Sequence, residues 1–256
     1  MKLMEGKKGI VFGVANERSI AWACAKQLTD AGAEVAFTYQ NEILEKRVRP
    51  LAESVGAKII EPCDVSKDEQ VEAVFKKIGE SFHGLDFMIH SLAFANKDEL
   101  SGRYINTSRE GFLLAMDVSV YSMTLLCRHA EPLMKGKNGS IVTLTYYGSE
   151  KVIPNYNVMG VAKAGLEASV RYLASDMGQN GIRVNAISAG PIKTLAASGI
   201  SGLRTMLEHC QEKSPLKRNI TAEEVGKTAL YLCSDLSNGV TGEIIHVDAG
   251  YNIVGM

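Results

Sequence analysis

The chain lacks a dominant charge sign. Its 256 residues carry 28 Lys and Arg against 29 Asp and Glu, a formal net charge of −1. With no basic excess to neutralise phosphates, nucleic acid is excluded as its main partner. Long uncharged runs are also missing. The longest segment without Asp, Glu, Lys or Arg is 138–149, well short of the roughly 20 apolar residues that a membrane span needs. No secretory signal is expected, because Lys2, Glu5, Lys7 and Lys8 precede the first apolar run, which reads better as a strand. Cysteine is sparse and odd in number: Cys24, Cys63, Cys127, Cys210 and Cys233, with no CxxC. That pattern reads as free thiols in a reducing compartment, and a cytoplasmic protein is expected. The five histidines, His83, His90, His129, His209 and His246, have no ligand spacing, so no metal is expected.

What is present is an alternation. Short apolar, β-branched runs occur at 9–14 (GIVFGV), 34–39 (EVAFTY), 57–62 (AKIIEP), 85–91 (LDFMIHS), 139–145 (GSIVTLT), 182–189 (IRVNAISA) and 242–248 (GEIIHVD). Several are apolar on both faces, as a parallel sheet covered by helices requires. Helical patterns such as 19–31, 67–82 and 109–134 lie between them. The alternation predicts an α/β, doubly wound Rossmann-type fold, with a single parallel sheet of about seven strands flanked by helices. No linker, repeat or composition break appears, so residues 1–256 read as one domain. Segment 194–206 is uncharged up to Arg204 and rich in small residues. It reads either as a surface loop with a short helix or as a mobile apolar lid over a ligand.

In such folds ligands sit at the carboxyl ends of the strands. The first end reads GIVFGVANERSIAWA, in which Gly13, Ala15 and Ser19 supply the small residues that let backbone N–H groups approach a pyrophosphate. It is not GxGxxG, and a plain strand–turn–helix with Ser19 as N-cap is the competing reading. The second strand ends at Gln40, which is neither the acid expected to hold ribose hydroxyls nor the Arg expected to hold a 2′-phosphate. Gln40 can still bond a ribose hydroxyl and no basic residue immediately follows, so NADH is favoured over NADPH. After the third strand, Asp64 is either an acceptor for an adenine amino group or only a helix cap. His90 reads as a satisfied core histidine and Trp22 as packing for the first helix.

The stretch 155–180 begins after Pro154, ends before Gly181, and reads as a helix. It carries Tyr156 and Lys163, seven residues apart. At about 100° per residue, seven steps return to within roughly 20° of the start, so both side chains share one face. An ammonium beside a phenol is expected to lower the phenol's pKa and make it a better acid or oxyanion donor. Tyr146 lies just beyond the fifth strand, on the same expected edge.

Together these residues resemble the short-chain dehydrogenase/reductases over essentially the whole chain, and more closely their bacterial enoyl-acyl-carrier-protein reductase branch. The similarity rests on GVANERSIA in the first turn, TYQNE after the second strand, CDV after the third, Tyr146, IPNYNVMGVAKAGLEA and RVNAISAGPIKTLAASGI. The resemblance implies hydride transfer from NADH to the β-carbon of a trans-2-enoyl thioester carried on acyl carrier protein. Tyr156 would stabilise the enolate, Lys163 would hold the nicotinamide ribose, and Tyr146 would be a second active-site tyrosine. Cofactor positions implied are Gly13, Ser19, Ile20, Gln40, Asp64, Val65, Leu92, Ile192, Lys193, Thr194, Leu195 and Ala196. Acyl-site positions implied are Ala95, Tyr156, Met159, Ala196, Ile200, Leu203 and Met206, under a lid at 194–206. Arg204, flanked by Lys193, Lys217 and Arg218, would face the acidic carrier. The small-residue face Ala162, Gly165, Ala168 and Ser169 fits helix packing in the family's homotetramer. Rival readings are a reductase of free carbonyls, a non-catalytic NAD-sensing regulator, and a membrane-associated acyl-binding protein.

Overall fold

A computed structural model of the chain describes residues 2–195, 197 and 202–255. Seven strands form one sheet: β1 (Lys8–Phe12), β2 (Glu34–Tyr39), β3 (Ile60–Pro62), β4 (Phe87–His90), β5 (Ser140–Thr145), β6 (Arg183–Ala189) and β7 (Ile244–Val247). Their order is β3-β2-β1-β4-β5-β6-β7, and every pairing is parallel. Each strand lies where the apolar runs place it: β2 matches its run at both ends, β1 starts one residue earlier and stops two earlier, and β3 to β7 are trimmed by one to three residues. The residues of β4, β5 and β6 are buried throughout, because helices cover both faces and leave no polar side.

The core divides accordingly. On one face α3 (Asp68–Phe82), α5 (Ser122–Met134) and α6 (Asn157–Gly178) pack Phe75, Ile78, Leu126, Leu166 and Val170 against Ile10, Met88 and Ile141 of the sheet. On the other, α1 (Ile20–Asp30), α2 (Glu42–Ser54) and α8 (Ala222–Cys233) pack Leu28, Val48 and Leu232 against Val11, Phe37 and Ile187. Trp22 meets Phe37 of β2 with ring centroids 6.1 Å apart. A capping box starts α8: Thr221 accepts from the Glu224 N–H while Glu224 accepts from the Thr221 N–H. The strand order reverses direction at β1, between β2 and β4, and this opens the crevice at their carboxyl ends where doubly wound sheets bind ligands.

The pattern at 109–134 predicts one plain helix. It is instead α4 (Arg109–Met116), a π-helical turn (Asp117–Tyr121) and then α5. Two buried serines lie in and beside this turn. Ser119 Oγ accepts from the Phe94 N–H at 3.0 Å, and Ser122 Oγ donates to the Val118 carbonyl at 2.7 Å. Among the described residues the continuous helical segment Arg109–Met134, its π-helical turn included, is the one long and apolar enough to cross a membrane by length and composition. That revises the reading from uncharged runs alone, because scattered charges interrupt a run without ending its high mean hydropathy. Met123, Leu125, Leu126, Ala130 and Met134 of α5 are buried against the sheet. All five cysteines are buried free thiols.

Candidate active site

The first turn is built for close approach. Gly13 has φ +95°, and a Cβ placed there would lie 1.9 Å from the Ser91 carbonyl oxygen, so only glycine fits against the end of β4. Ser19 occupies the N-cap position of α1 but makes no forward capping bond. Its Oγ instead accepts from the N–H groups of Ala15 and Asn16, at 3.2 and 3.1 Å, and donates to the Asn16 carbonyl. The serine therefore shapes the turn and leaves the helix N–H groups for a ligand. No acidic residue occupies the first turn of α1, whereas α2, α3 and α8 carry acids there. An uncapped helix N-terminus without acids suits a pyrophosphate.

The other cofactor positions line the same edge. Gln40, after β2, donates to Asp64, after β3, at 3.4 Å. Burial raises the Asp64 pKa, but hydrogen bonds from Ser66, then from Gln40, and the Lys67 charge outweigh it, and the net shift is downward. Asp64 is not the helix cap, since it bonds the Ser66 hydroxyl and N–H while Lys67 holds the N-cap position of α3. Val65 is a core residue, while Ile20, Leu92 and Ile192 are half-buried against the core. Thr194 Oγ1 accepts from the Ala197 N–H at 3.0 Å, and Lys193 and Leu195 flank it beyond β6. Ala196 and Ile200 lie outside the described residues.

The end of β5 meets one face of α6 with three consecutive residues. The Leu144 carbonyl accepts from Lys163 Nζ at 2.7 Å, Thr145 Oγ1 donates to Glu167 at 2.6 Å, and the Tyr146 ring meets Tyr156 edge-on at 5.1 Å. Tyr156, Lys163 and Glu167 are each buried, at 7%, 6% and 7% exposure. Tyr146, Tyr156, Met159, Leu92 and Ala95 share one apolar cluster. The Tyr146 hydroxyl reaches Met206 Sδ at 3.1 Å. Leu203 and Met206 belong to α7 (Leu203–Lys213), so the second half of the expected lid is the first turn of a helix. Neighbouring Tyr147 turns away: its hydroxyl donates to the Asn252 carbonyl at 3.2 Å.

One electrostatic expectation is reversed. The Tyr156 pKa is raised, by burial first and then by Tyr146 and Glu167, so the phenol is firmly protonated. Burial likewise raises that of Tyr146. Lys163 does not lower it because its ammonium is turned to the Leu144 carbonyl, and the loss of water around a buried phenolate outweighs a distant charge. Lys163 itself is lowered to about 8 by burial, against the opposing pull of Glu167. His90 is a satisfied core histidine, with Thr143 Oγ1 at 2.7 Å and Ser122 Oγ at 2.9 Å. Burial and Lys163 drop its pKa to about 3, so it is neutral. Around the mouth, Arg204 pairs with Glu208 at 2.9 Å and Arg218 with Glu224 at 2.6 Å.

Sequence reasoning missed Glu167. Eleven steps from Tyr156 at about 100° each return to within roughly 20° of it, and an acid on that otherwise small and apolar face was the available signal.

The parallel sheet, the tight first turn at its switch point and the tyrosine–lysine face of α6 define a short-chain dehydrogenase/reductase-type oxidoreductase that binds a nicotinamide dinucleotide. Comparison narrows the class. Residues 13–252 match the family model described as enoyl-(acyl carrier protein) reductase. A protein of Rhizobium meliloti, enoyl-acyl-carrier-protein reductase (NADH) 1, is 59% identical over 99% of this chain and 93% of its own. The crystal structure of an Anaplasma phagocytophilum enoyl-acyl-carrier-protein reductase in complex with NAD superposes with a TM-score of 0.96 at 57% identity, covering 100% of this chain and 97% of that one. A Bacillus cereus enoyl-acyl carrier protein reductase, solved with NADP+ and indole naphthyridinone, gives 0.97 at 52% identity and full coverage of both chains. The chain belongs to the enoyl-acyl-carrier-protein reductase family.

Proposed function

We propose that this protein is the NADH-dependent enoyl-acyl-carrier-protein reductase of type II fatty-acid synthesis, reducing the trans-2 double bond of an enoyl thioester on acyl carrier protein. The observation that carries the reading is the buried, protonated Tyr156 beside Tyr146, with Lys163 on the same helix face, in a chain of this family.

The residues present fit the dinucleotide. Gly13, Ser19 and Ile20 would receive the pyrophosphate at the α1 N-terminus. Gln40 would bond the adenosine ribose, and its lack of a basic neighbour suits NADH. Asp64 and Val65 would flank the adenine, and Leu92 would lie along the cofactor. The backbone of Ile192, Lys193, Thr194, Leu195 and Ala196 would hold the carboxamide and pyrophosphate. Reduced nicotinamide, when bound, supplies the hydride for the substrate β-carbon. Tyr156 would donate a hydrogen bond to the thioester oxygen as negative charge develops there, its high pKa keeping that proton in place. The enolate would then take a proton from solvent at the α-carbon, which completes addition of hydride and proton across the double bond. Ala95, Met159 and Met206, with Ala196, Ile200 and Leu203, would wall the acyl chain off from water. Lys163, held by the Leu144 carbonyl, would bond the nicotinamide ribose with its remaining protons.

The same reading takes residues 1–256 as one domain with a lid at 194–206, working in the cytoplasm as a homotetramer. Five buried free thiols support the reducing compartment, whereas the homotetramer rests on the family resemblance alone, because Ala162 is buried in the core and Gly165 faces Met116 and Val120 of the same chain. Sedimentation equilibrium would measure the subunit number, with four expected.

The decisive assay follows NADH absorbance with crotonyl and longer trans-2-enoyl thioesters, on coenzyme A and on carrier protein, beside Tyr156→Phe. Enoyl-dependent oxidation that the variant loses establishes the reductase. NADH binding without oxidation on any enoyl thioester points instead to a cofactor-sensing regulator, and oxidation on free ketones to a carbonyl reductase.

A further inference from the structure

We infer that Glu167 is the buried counter-charge of Lys163 and a positioning residue for cofactor binding: its carboxylate, anchored by Thr145, keeps the Lys163 ammonium protonated where the nicotinamide ribose is held. The inference rests on the ribose-binding role proposed for Lys163.

Three observations converge. First, Lys163 and Glu167 are four residues apart on α6, and both are more than nine-tenths buried. A buried ammonium without an opposing charge releases its proton or destabilises the fold. Second, adjacent residues of β5 fix the pair. Leu144 offers its carbonyl to Lys163, and Thr145 offers its hydroxyl to Glu167. Third, the other titratable groups facing the pair carry no compensating charge. His90 of β4 is neutral, and Tyr146 after β5 and Tyr156 at the head of α6 are protonated phenols. Among the described residues Glu167 is the acid that acts on the ammonium, and it opposes the downward pull of burial. The two are not in direct ion-pair contact. Their coupling acts through the low-dielectric interior, where a charge one helical turn away is felt strongly.

Such a role appears in the pH dependence of cofactor binding, which simple loss of packing would not move. Glu167→Gln preserves size and the acceptor for Thr145 while removing the charge. We expect NADH affinity within about twofold of the parent at pH 6. At pH 8 it should be about fivefold weaker, the consequence of a lysine pKa lower by about one unit. Glu167→Asp, which keeps the charge, should restore most of the alkaline affinity. NADH binding followed by fluorescence measures this without any enoyl substrate, so failure of the reductase reading is seen separately in the enoyl assay. Parallel pH profiles for parent and Glu167→Gln would overturn the inference, as would an aspartate variant no better than the glutamine one. Should Glu167→Gln fold poorly, the double variant Glu167→Gln/Lys163→Met gives a second measurement. Removing both charges should raise Tm above that of Glu167→Gln alone, and a Tm at or below the single variant's would refute the pairing.

Discussion

Replacing Gly13 by alanine tests the first turn directly. The new Cβ would sit 1.9 Å from the Ser91 carbonyl oxygen and 2.7 Å from its carbonyl carbon. The two segments must part by more than about 1 Å before van der Waals contact becomes tolerable. Both are backbone, so no side chain can swing aside. The residue also keeps φ near +95°, which costs alanine about 1–2 kcal/mol. Forced separation of packed strands adds about 1–3 kcal/mol. A loss of about 2–5 kcal/mol in all lowers Tm by on the order of 10 °C for a chain this size. The displacement also moves the Ala15 and Asn16 N–H groups that Ser19 organises. NADH affinity should fall by on the order of tenfold to a hundredfold, since about 1 Å of misplacement is severe at a preorganised site. Thermal unfolding and fluorescence titration with NADH read the two effects. A variant with parental Tm and parental NADH affinity would refute both the clash and the role given to the turn.

Tyr156→Phe should lower kcat by about 10²–10³, the cost of one oxyanion donor, while fluorescence titration shows NADH affinity unchanged. His90→Gln addresses acid stability. The folded His90 pKa is about 3, below its ordinary value of 6.5, so protons bind the unfolded chain first. This contribution is present above pH 6.5 and is lost as pH falls towards 3. Between pH 7 and pH 5 the parent should lose about 2 kcal/mol more than His90→Gln in urea unfolding, and equal losses would contradict a buried neutral imidazole. Thr221→Ala removes the capping box of α8 and should cost about 1 kcal/mol in the same assay, with NADH binding unaltered.

The sheet was legible because buried parallel strands leave unmistakable apolar runs, and GIVFGV, SIVTLT and RVNAISA each map onto a strand. The tyrosine–lysine face was legible because helical spacing is arithmetic. Other features depend on tertiary surroundings. The direction of the Tyr156 shift follows from how deeply the ring is buried and where the lysine points, and neither is written in a spacing. Ser19 looked like a helix cap because serine usually is one, yet its hydroxyl is claimed by the turn behind it. The lid expected over 194–206 gives way at Leu203 to α7, after Gly202 in the left-handed region at φ +84°, a boundary that a small-residue composition obscures. The π-helical turn and Ser122 after it form hydrogen bonds with Phe94 and His90, residues distant in sequence that the helical pattern does not reveal.

That turn has a consequence for how this site can vary. A π-helical turn amounts to one residue more than the regular helix would hold. Ser119 and Ser122 tie it to the Phe94 backbone and to His90, so the loop carrying Leu92 and Ala95 takes its position from the helix as well as from β4. Deleting a single residue within Asp117–Tyr121 would leave a continuous, well-formed helix and an intact sheet. The remainder of α5 would keep its phase, because the regular helix then spans the same rotation with one residue fewer, and the loop would lose its tether. The extra residue thus serves to offer side chains to the loop and not to hold the helix, and shortening the segment would detach the cofactor-side loop before it threatened the fold.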